Sequence, residues 1–276
     1  MYNRFYGLRE QPFNQTPDSS FFFASEKHKS ALDALLYAIR QGKGFVVVTG
    51  EIGAGKTTVV RTLLRELGDS VRTAMITNTH LTPKGILTLI LEDLDIPYQQ
   101  GSKDKLLVQL NEYLIHQGLE DQHVVLIIDE AQNLSPTCLE EVRMLSNLET
   151  EKQKLIQIVL VGQPELRRKL ELGRLEQLRQ RIAIHYHLQP LTEEETKAYV
   201  LHRLRKPSTN SGRAETIFDE EALRRIYLYS RGLPRIINML CDHALLTGCL
   251  SETATVTPFI IEEAVTEFRF KGEKTI

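Results

Sequence analysis

Apolar residues fall along this chain in two rhythms. In the first two thirds, short runs recur between turn residues: Phe45–Val48 ending at Thr49, Val71–Thr77, Val124–Ile128 and Leu155–Val161, with Ile182–Leu188 as a further strand. Runs of this kind predict strands buried on both faces of a parallel sheet. Between them the spacing changes to helical periodicity. It predicts helices from Glu26 to about Gln41 with Ser25 as N-cap, Val59–Leu67, from Pro83 through Leu94, Lys105–Gln117, Thr137–Leu148, and two short basic helices after Pro164. Repeated alternation of strand and helix is the order of a three-layer α/β domain with a mostly parallel sheet.

From Thr192 the strands stop. Thr192 with Glu195 three residues later matches a capping box, opening a helix to about Lys206. Pro207–Gly212 reads as a turn or flexible loop, and helices follow near 219–230, 234–249 and 257–268. The expected organisation is an α/β domain over 1–190, a small all-helical lid domain over 191–270, and a loose polar tail at 271–276. Within the first domain, residues 1–25 carry Phe5, Tyr6, Phe13, Phe21, Phe22 and Phe23 with Pro12 and Pro17, and read as irregular. Their aromatics are expected to pack against the body of the domain or against an adenine ring.

The candidate chemistry starts at the first strand. Gly50, Glu51, Ile52, Gly53, Ala54, Gly55, Lys56, Thr57 and Thr58 form a glycine-rich turn between a buried strand and a helix start, which is a P-loop. Glycines let backbone N–H groups approach phosphate oxygens, and the helix N-terminus adds partial positive charge there. Lys56 would reach the β/γ-phosphates of ATP, and the Thr57 hydroxyl would join a Mg²⁺ shell. Asp129 and Glu130 end the third run. Asp129 would bind the metal through water and Glu130 would act as base toward an attacking water, the minimal apparatus of an ATPase.

Gln163 ends the next strand, where it could touch the γ-phosphate or the water, or simply cap the turn. Arg167, Arg168, Lys169, Arg174, Arg179 and Arg181 form a basic stretch. Arg167–Lys169 read as a solvated face, and Arg179 or Arg181 as an arginine finger toward a neighbouring subunit's nucleotide. A DNA-phosphate role for the stretch is the weaker alternative. Gly232-Leu233-Pro234-Arg235 opens a helix, and Arg235 would contact the γ-phosphate in cis. His80, His123, His185 and His187 are not spaced like a metal site, and the last two read as structural.

Composition narrows the class. Of 276 residues, 42% are hydrophobic and 25% charged, an ordinary globular balance, and a net charge of −2 gives no field suited to nucleic acid as a whole. Cys138, Cys241 and Cys249 are scattered and odd in number, which suits a reducing compartment. No signal-peptide core opens the sequence and no apolar run approaches a membrane span, so a cytoplasmic protein is expected, meeting a membrane only through a partner.

Taken together, the chain resembles AAA+ ATPases of the general secretion pathway protein A (ExeA) type. The resemblance rests on Tyr6-Gly7-Leu8-Arg9-Glu10-Gln11-Pro12-Phe13 with Thr16-Pro17-Asp18, the Walker A segment Gly50–Thr58, the Walker B segment Ile128-Asp129-Glu130-Ala131-Gln132, and Leu160–Leu166. Leu178–Ile182, Gly232–Arg235, Ile237 and Asn238 continue it. It implies Gln163 as sensor 1 and Arg235 as sensor 2. It also implies a homo-oligomer, a ring or filament with a hexamer among the options, whose sites are completed between subunits. The implied role is in envelope assembly: type II secretion, pilus assembly or exopolysaccharide export, with an inner-membrane protein partner. Secretion members continue into a membrane segment and a peptidoglycan-binding domain. These residues carry neither pattern, so no direct cell-wall contact is expected of them. Transposition ATPases of the TniB or TnsC type share the core and bind DNA, and a similar DNA-binding regulator is the alternative reading.

Overall fold

Strands β1 (Phe45–Gly50), β2 (Val71–Ile76), β3 (His123–Ile128), β4 (Gln157–Gly162) and β5 (Ile182–Leu188) form one parallel sheet in the order β2-β3-β4-β1-β5. The computed structural model describes residues 2–16, 18–68, 71–99, 101–151, 153–209 and 211–268. The tail expected at 271–276, Pro17 and Asn210 lie outside them. The helices along the chain are α1 (Tyr2–Tyr6), α2 (Glu26–Arg40), α3 (Lys56–Leu67), α4 (Pro83–Asp93), α5 (Lys103–Leu119), α6 (Pro136–Leu145), α7 (Pro164–Leu170) and α8 (Glu176–Arg179). They continue with α9 (Glu193–Arg205), α10 (Ser211–Ala214), α11 (Glu220–Ser230), α12 (Pro234–Leu250) and α13 (Pro258–Phe268).

Two compact units divide the chain. The first holds Glu26–Glu51 and Val59–Leu188. Its sheet is parallel because each strand returns through a helical crossover. β1 and β4 are buried at every position, as central strands covered on both faces must be. On one face Phe45, Val47, Leu126, Ile128, Ile158 and Leu160 pack with Ile86, Leu87, Leu110, Leu139 and Leu166. Val46, Val48, Val125, Ile127, Val159 and Val161 alternate to the other face and are equally buried. At the sheet edge β5 alternates half-buried and exposed residues, and Tyr186 donates its hydroxyl to the Lys27 carbonyl of α2. The chain leaves β1 toward β2 but leaves β4 across β1 to reach β5. That reversal lies where β1 and β4 pair, and it is where an open α/β sheet places its ligand crevice, beyond the strand C-termini.

The second unit holds the residues up to Ser25, Ile52–Thr58, and those from Gln189 onward. Its core joins Val200, Leu204, Ile226, Ile237, Ala244 and Ile261 to Tyr2, Tyr6, Leu8 and Phe13. The opening segment therefore contributes to the core of the helical unit, whereas the sequence groups it with the first domain. It is also less irregular than expected, since Tyr2–Tyr6 is a short helix. The tethers are specific. Tyr2 donates to Asp242, Tyr6 Oη donates to Thr253 O at 3.1 Å, and Arg203 donates to Pro12 O at 2.5 Å and Asn14 O at 3.1 Å while stacking 4.6 Å over Phe21. Burial pushes the Tyr6 hydroxyl up to about 12, with Cys249 adding to it. Both bonds of the Thr192–Glu195 capping box form. The turn expected over Pro207–Gly212 gives way at Ser211 to α10.

Candidate functional site

β1 delivers the glycine-rich turn. Gly50 closes the strand against β5: a Cβ there would lie 2.8 Å from the Leu188 carbonyl oxygen. Gly53 and Gly55 take φ of 79° and 99°, a region open to glycine and strained for other residues. α3 then begins at Lys56, three residues before the expected start, so Lys56, Thr57 and Thr58 form its first turn. Lys56 is 6% exposed and Ile52 is 58% exposed. Within the same unit, the Arg235 N–H donates to the Gly53 carbonyl at 3.2 Å. Arg235 itself is exposed in the first turn of α12.

Gly232, three residues before Arg235, takes φ 74°, and Arg231 takes φ 50°. The Leu191 N–H donates to Gly232 O at 2.9 Å, and a Cβ on Gly232 would fall 1.9 Å from the Leu191 carbonyl oxygen. Only glycine fits this approach, which sets where α12 and Arg235 begin.

The carboxylates follow β3. Asp129, 6% exposed, extends the ladder by donating its N–H to Ile76 O at 2.9 Å, and its Oδ1 accepts the Glu130 N–H at 2.9 Å. Glu130 turns the chain with φ 51°. Gln163, the residue after β4, donates Nε2 to Glu130 Oε2 at 3.1 Å. The structure thus joins two of the residues the sequence singled out. It adds a third: Gln132 Nε2 donates to the same oxygen at 2.5 Å, and Gln132 Oε1 accepts the Gln163 N–H at 3.0 Å. In the sequence Gln132 stands out only as a member of the Ile128–Gln132 motif. The available signal was an amide side chain two residues after a turn-forming acid.

The basic stretch divides by task. Arg167 pairs with Glu171 at 3.3 Å across one helical turn, as a solvated face predicts. Lys169 departs from that face. Its ammonium donates to the carbonyls of Gln132 and Leu134, and burial pulls its pKa down, with Arg174 contributing. Arg181 is half-buried and donates to Ser146 Oγ at 2.7 Å at the C-terminus of α6. Arg179, at the end of α8, is exposed.

His185 and His187 project from β5 toward Thr49 of β1. The Thr49 hydroxyl lies 3.1 Å from His185 Nε2 and 3.0 Å from His187 Nδ1. Burial pulls the His185 pKa down, and Arg167 and His187 add to it. Among the described residues no cluster of three metal-ligating side chains occurs. Each unit carries an oxygen donor of the type Mg²⁺ takes, the Thr57 hydroxyl in one and the Asp129 carboxylate in the other. Loop glycines at positive φ and a buried lysine at a helix start match a triphosphate.

A family model described as an AAA domain matches residues 39–170. General secretion pathway protein A of Aeromonas hydrophila is 42% identical over 249 residues, covering 90% of this chain and 45% of that protein. The chain therefore spans less than half the length of this relative. Among solved structures, the Aeropyrum pernix ORC2 protein, in its ADPNP-ADP complexes, superposes with a TM-score of 0.69 at 16% identity over 97% of this chain and 74% of that one. Drosophila ORC bound to DNA gives 0.71 at 20% identity over 95% and 65%. The Thermotoga maritima RuvB Holliday junction branch migration motor gives 0.60 at 19% identity over 92% and 73%. At these identities the structures share the fold, a P-loop AAA architecture with a five-stranded parallel sheet and a helical C-terminal part.

Proposed function

We propose, for a chain that belongs to the AAA ATPases of the general secretion pathway protein A type, that it binds ATP with Mg²⁺, hydrolyses it, and couples the cycle to assembly or regulation of a bacterial envelope machine. The observation that carries the reading is the 3.1 Å bond from Gln163 to Glu130, made beyond the C-terminal ends of β4 and β3 in a sheet whose β1 runs into the glycine loop. A base held at a fixed rotamer at such an edge suits the activation of water.

The amides of Gly53–Thr58 and the Lys56 ammonium are assigned to the phosphates, and Thr57 and Asp129 to Mg²⁺. When bound, the ion screens charge on the phosphate oxygens. Glu130 orients the attacking water and accepts its proton. Gln163 holds Glu130 and reports on the γ-phosphate, and Arg235 offsets phosphate charge in cis. Between the two finger candidates the structure favours Arg179 for a trans role in an oligomer. Arg181 commits a guanidinium nitrogen to Ser146 of its own subunit, whereas Arg179 is exposed.

The name of the Aeromonas relative, general secretion pathway protein A, supports a secretion machine as the place of action; pilus assembly and exopolysaccharide export are the other envelope machines of the same proposal. No helix among the described residues is long and apolar enough to cross a membrane. An inner-membrane protein partner, met from the cytoplasmic side, is part of the same proposal. The test is Mg²⁺-dependent phosphate release from ATP by the purified chain. Lys56→Ala should abolish both nucleotide binding and release, and binding left intact in that variant would overturn the phosphate assignment.

A further inference from the structure

We infer that Gln132 is a positioning residue for this hydrolysis, fixing the rotamer of Glu130 and tying it to the end of β4. The inference rests on the base role proposed for Glu130. Three bonds meet at Gln132. Its Nε2 donates to Glu130 Oε2, its Oε1 accepts the Gln163 N–H, and its carbonyl accepts from Lys169 Nζ. The side chain thus spans the turn after β3 and the residue after β4, while the lysine of α7 pins the backbone of the same turn. Gly162 makes room for the bridge: a Cβ there would stand 2.7 Å from Gln132 Oε1.

The bridge acts on a residue that needs holding. Glu130 sits at φ 51°, unfavourable for a side chain with a Cβ. Asp129 Oδ1 and the Asn133 N–H fix its backbone, the latter donating to Glu130 O at 3.0 Å. Its carboxylate is fixed by the two amides, both on Oε2. Among the described residues Oε1 receives no donor. It is the oxygen assigned to take the proton as the water oxygen bonds to the γ-phosphorus and the bond to ADP breaks. A carboxylate with one donor in place of two would sample other rotamers, and a misplacement near 1 Å can cost about 10²-fold in rate.

The experiment compares Gln132→Met, which keeps the volume and removes the amide, with wild type. We expect kcat for ATP to fall about 10²-fold with KM within about twofold, the split of a transition-state effect. In a Glu130→Gln background Gln132→Met should add no further loss. Without nucleotide, hydrogen exchange at the Gln163 amide should accelerate in Gln132→Met, because its acceptor is gone. Gln132→Asn withdraws the amide by one methylene and carries the same expectation should Gln132→Met not fold. If kcat and Gln163 exchange stay at wild-type values while Glu130→Gln is inactive, this inference is overturned and the base assignment stands. If Glu130→Gln hydrolyses ATP normally, the base assignment itself fails.

Discussion

Arg235 packs so closely on Gly53 that a Cβ built on the glycine would come within 2.6 Å of the arginine's own Cβ. The first turn of α12 is thereby set against the glycine loop, with a backbone bond of 3.2 Å between the same two residues. Gly53→Ala would have to move the helix start or the loop, at a φ of 79° that disfavours any side chain. Titration with a fluorescent ATP analogue should show affinity at least about tenfold weaker, with the fold retained.

A second glycine acts on stability. Gly232→Ala would meet the Leu191 carbonyl and strain a φ of 74°. Denaturant unfolding should show a loss of about 3 kcal/mol, far above the cost of Gly173→Ala, where nothing lies within 4 Å.

The two candidate fingers should separate cleanly. At protein concentrations where subunits associate, Arg179→Ala should lower turnover about 10³-fold and leave nucleotide affinity unchanged. Arg181→Ala, which releases Ser146 from its 2.7 Å bond, should lower Tm. The reverse pattern would exchange the roles.

The Thr49 hydroxyl can donate to only one of His185 and His187, so both contacts form only if the other ring nitrogen donates to it. The His185 pKa is depressed in the folded protein by burial, with Arg167 and His187 adding to it and Glu171 opposing. The unfolded chain therefore binds the proton more readily. Stability from this group is complete above the unfolded value of about 6.5 and is lost as pH falls through the lower, folded value. Tm should drop between pH 7.5 and 5.5, and His185→Gln should flatten that decline.

Much of this was legible in the sequence because it is local. Strand β5 occupies the same residues as its expected span, and the apolar runs located the other strands to within about two residues. Glycine spacing located the loop, and Asp129 and Glu130 announced themselves as acids closing a buried run. What escaped depends on pairings between distant segments. The aromatic composition of residues 2–16 says that they bury, but not that Tyr2 finds Asp242 or that Arg203 grips Pro12 and Asn14. Lys169 reads as one of three solvated cations until the fold sets it against the carbonyls of Gln132 and Leu134.

Whether Glu130 is the base of an ATPase is decided by Glu130→Gln, with ATP binding and phosphate release measured on the same preparation. ATP affinity should stay within about twofold of wild type while release slows at least about 10²-fold. Release at the wild-type rate would contradict that role.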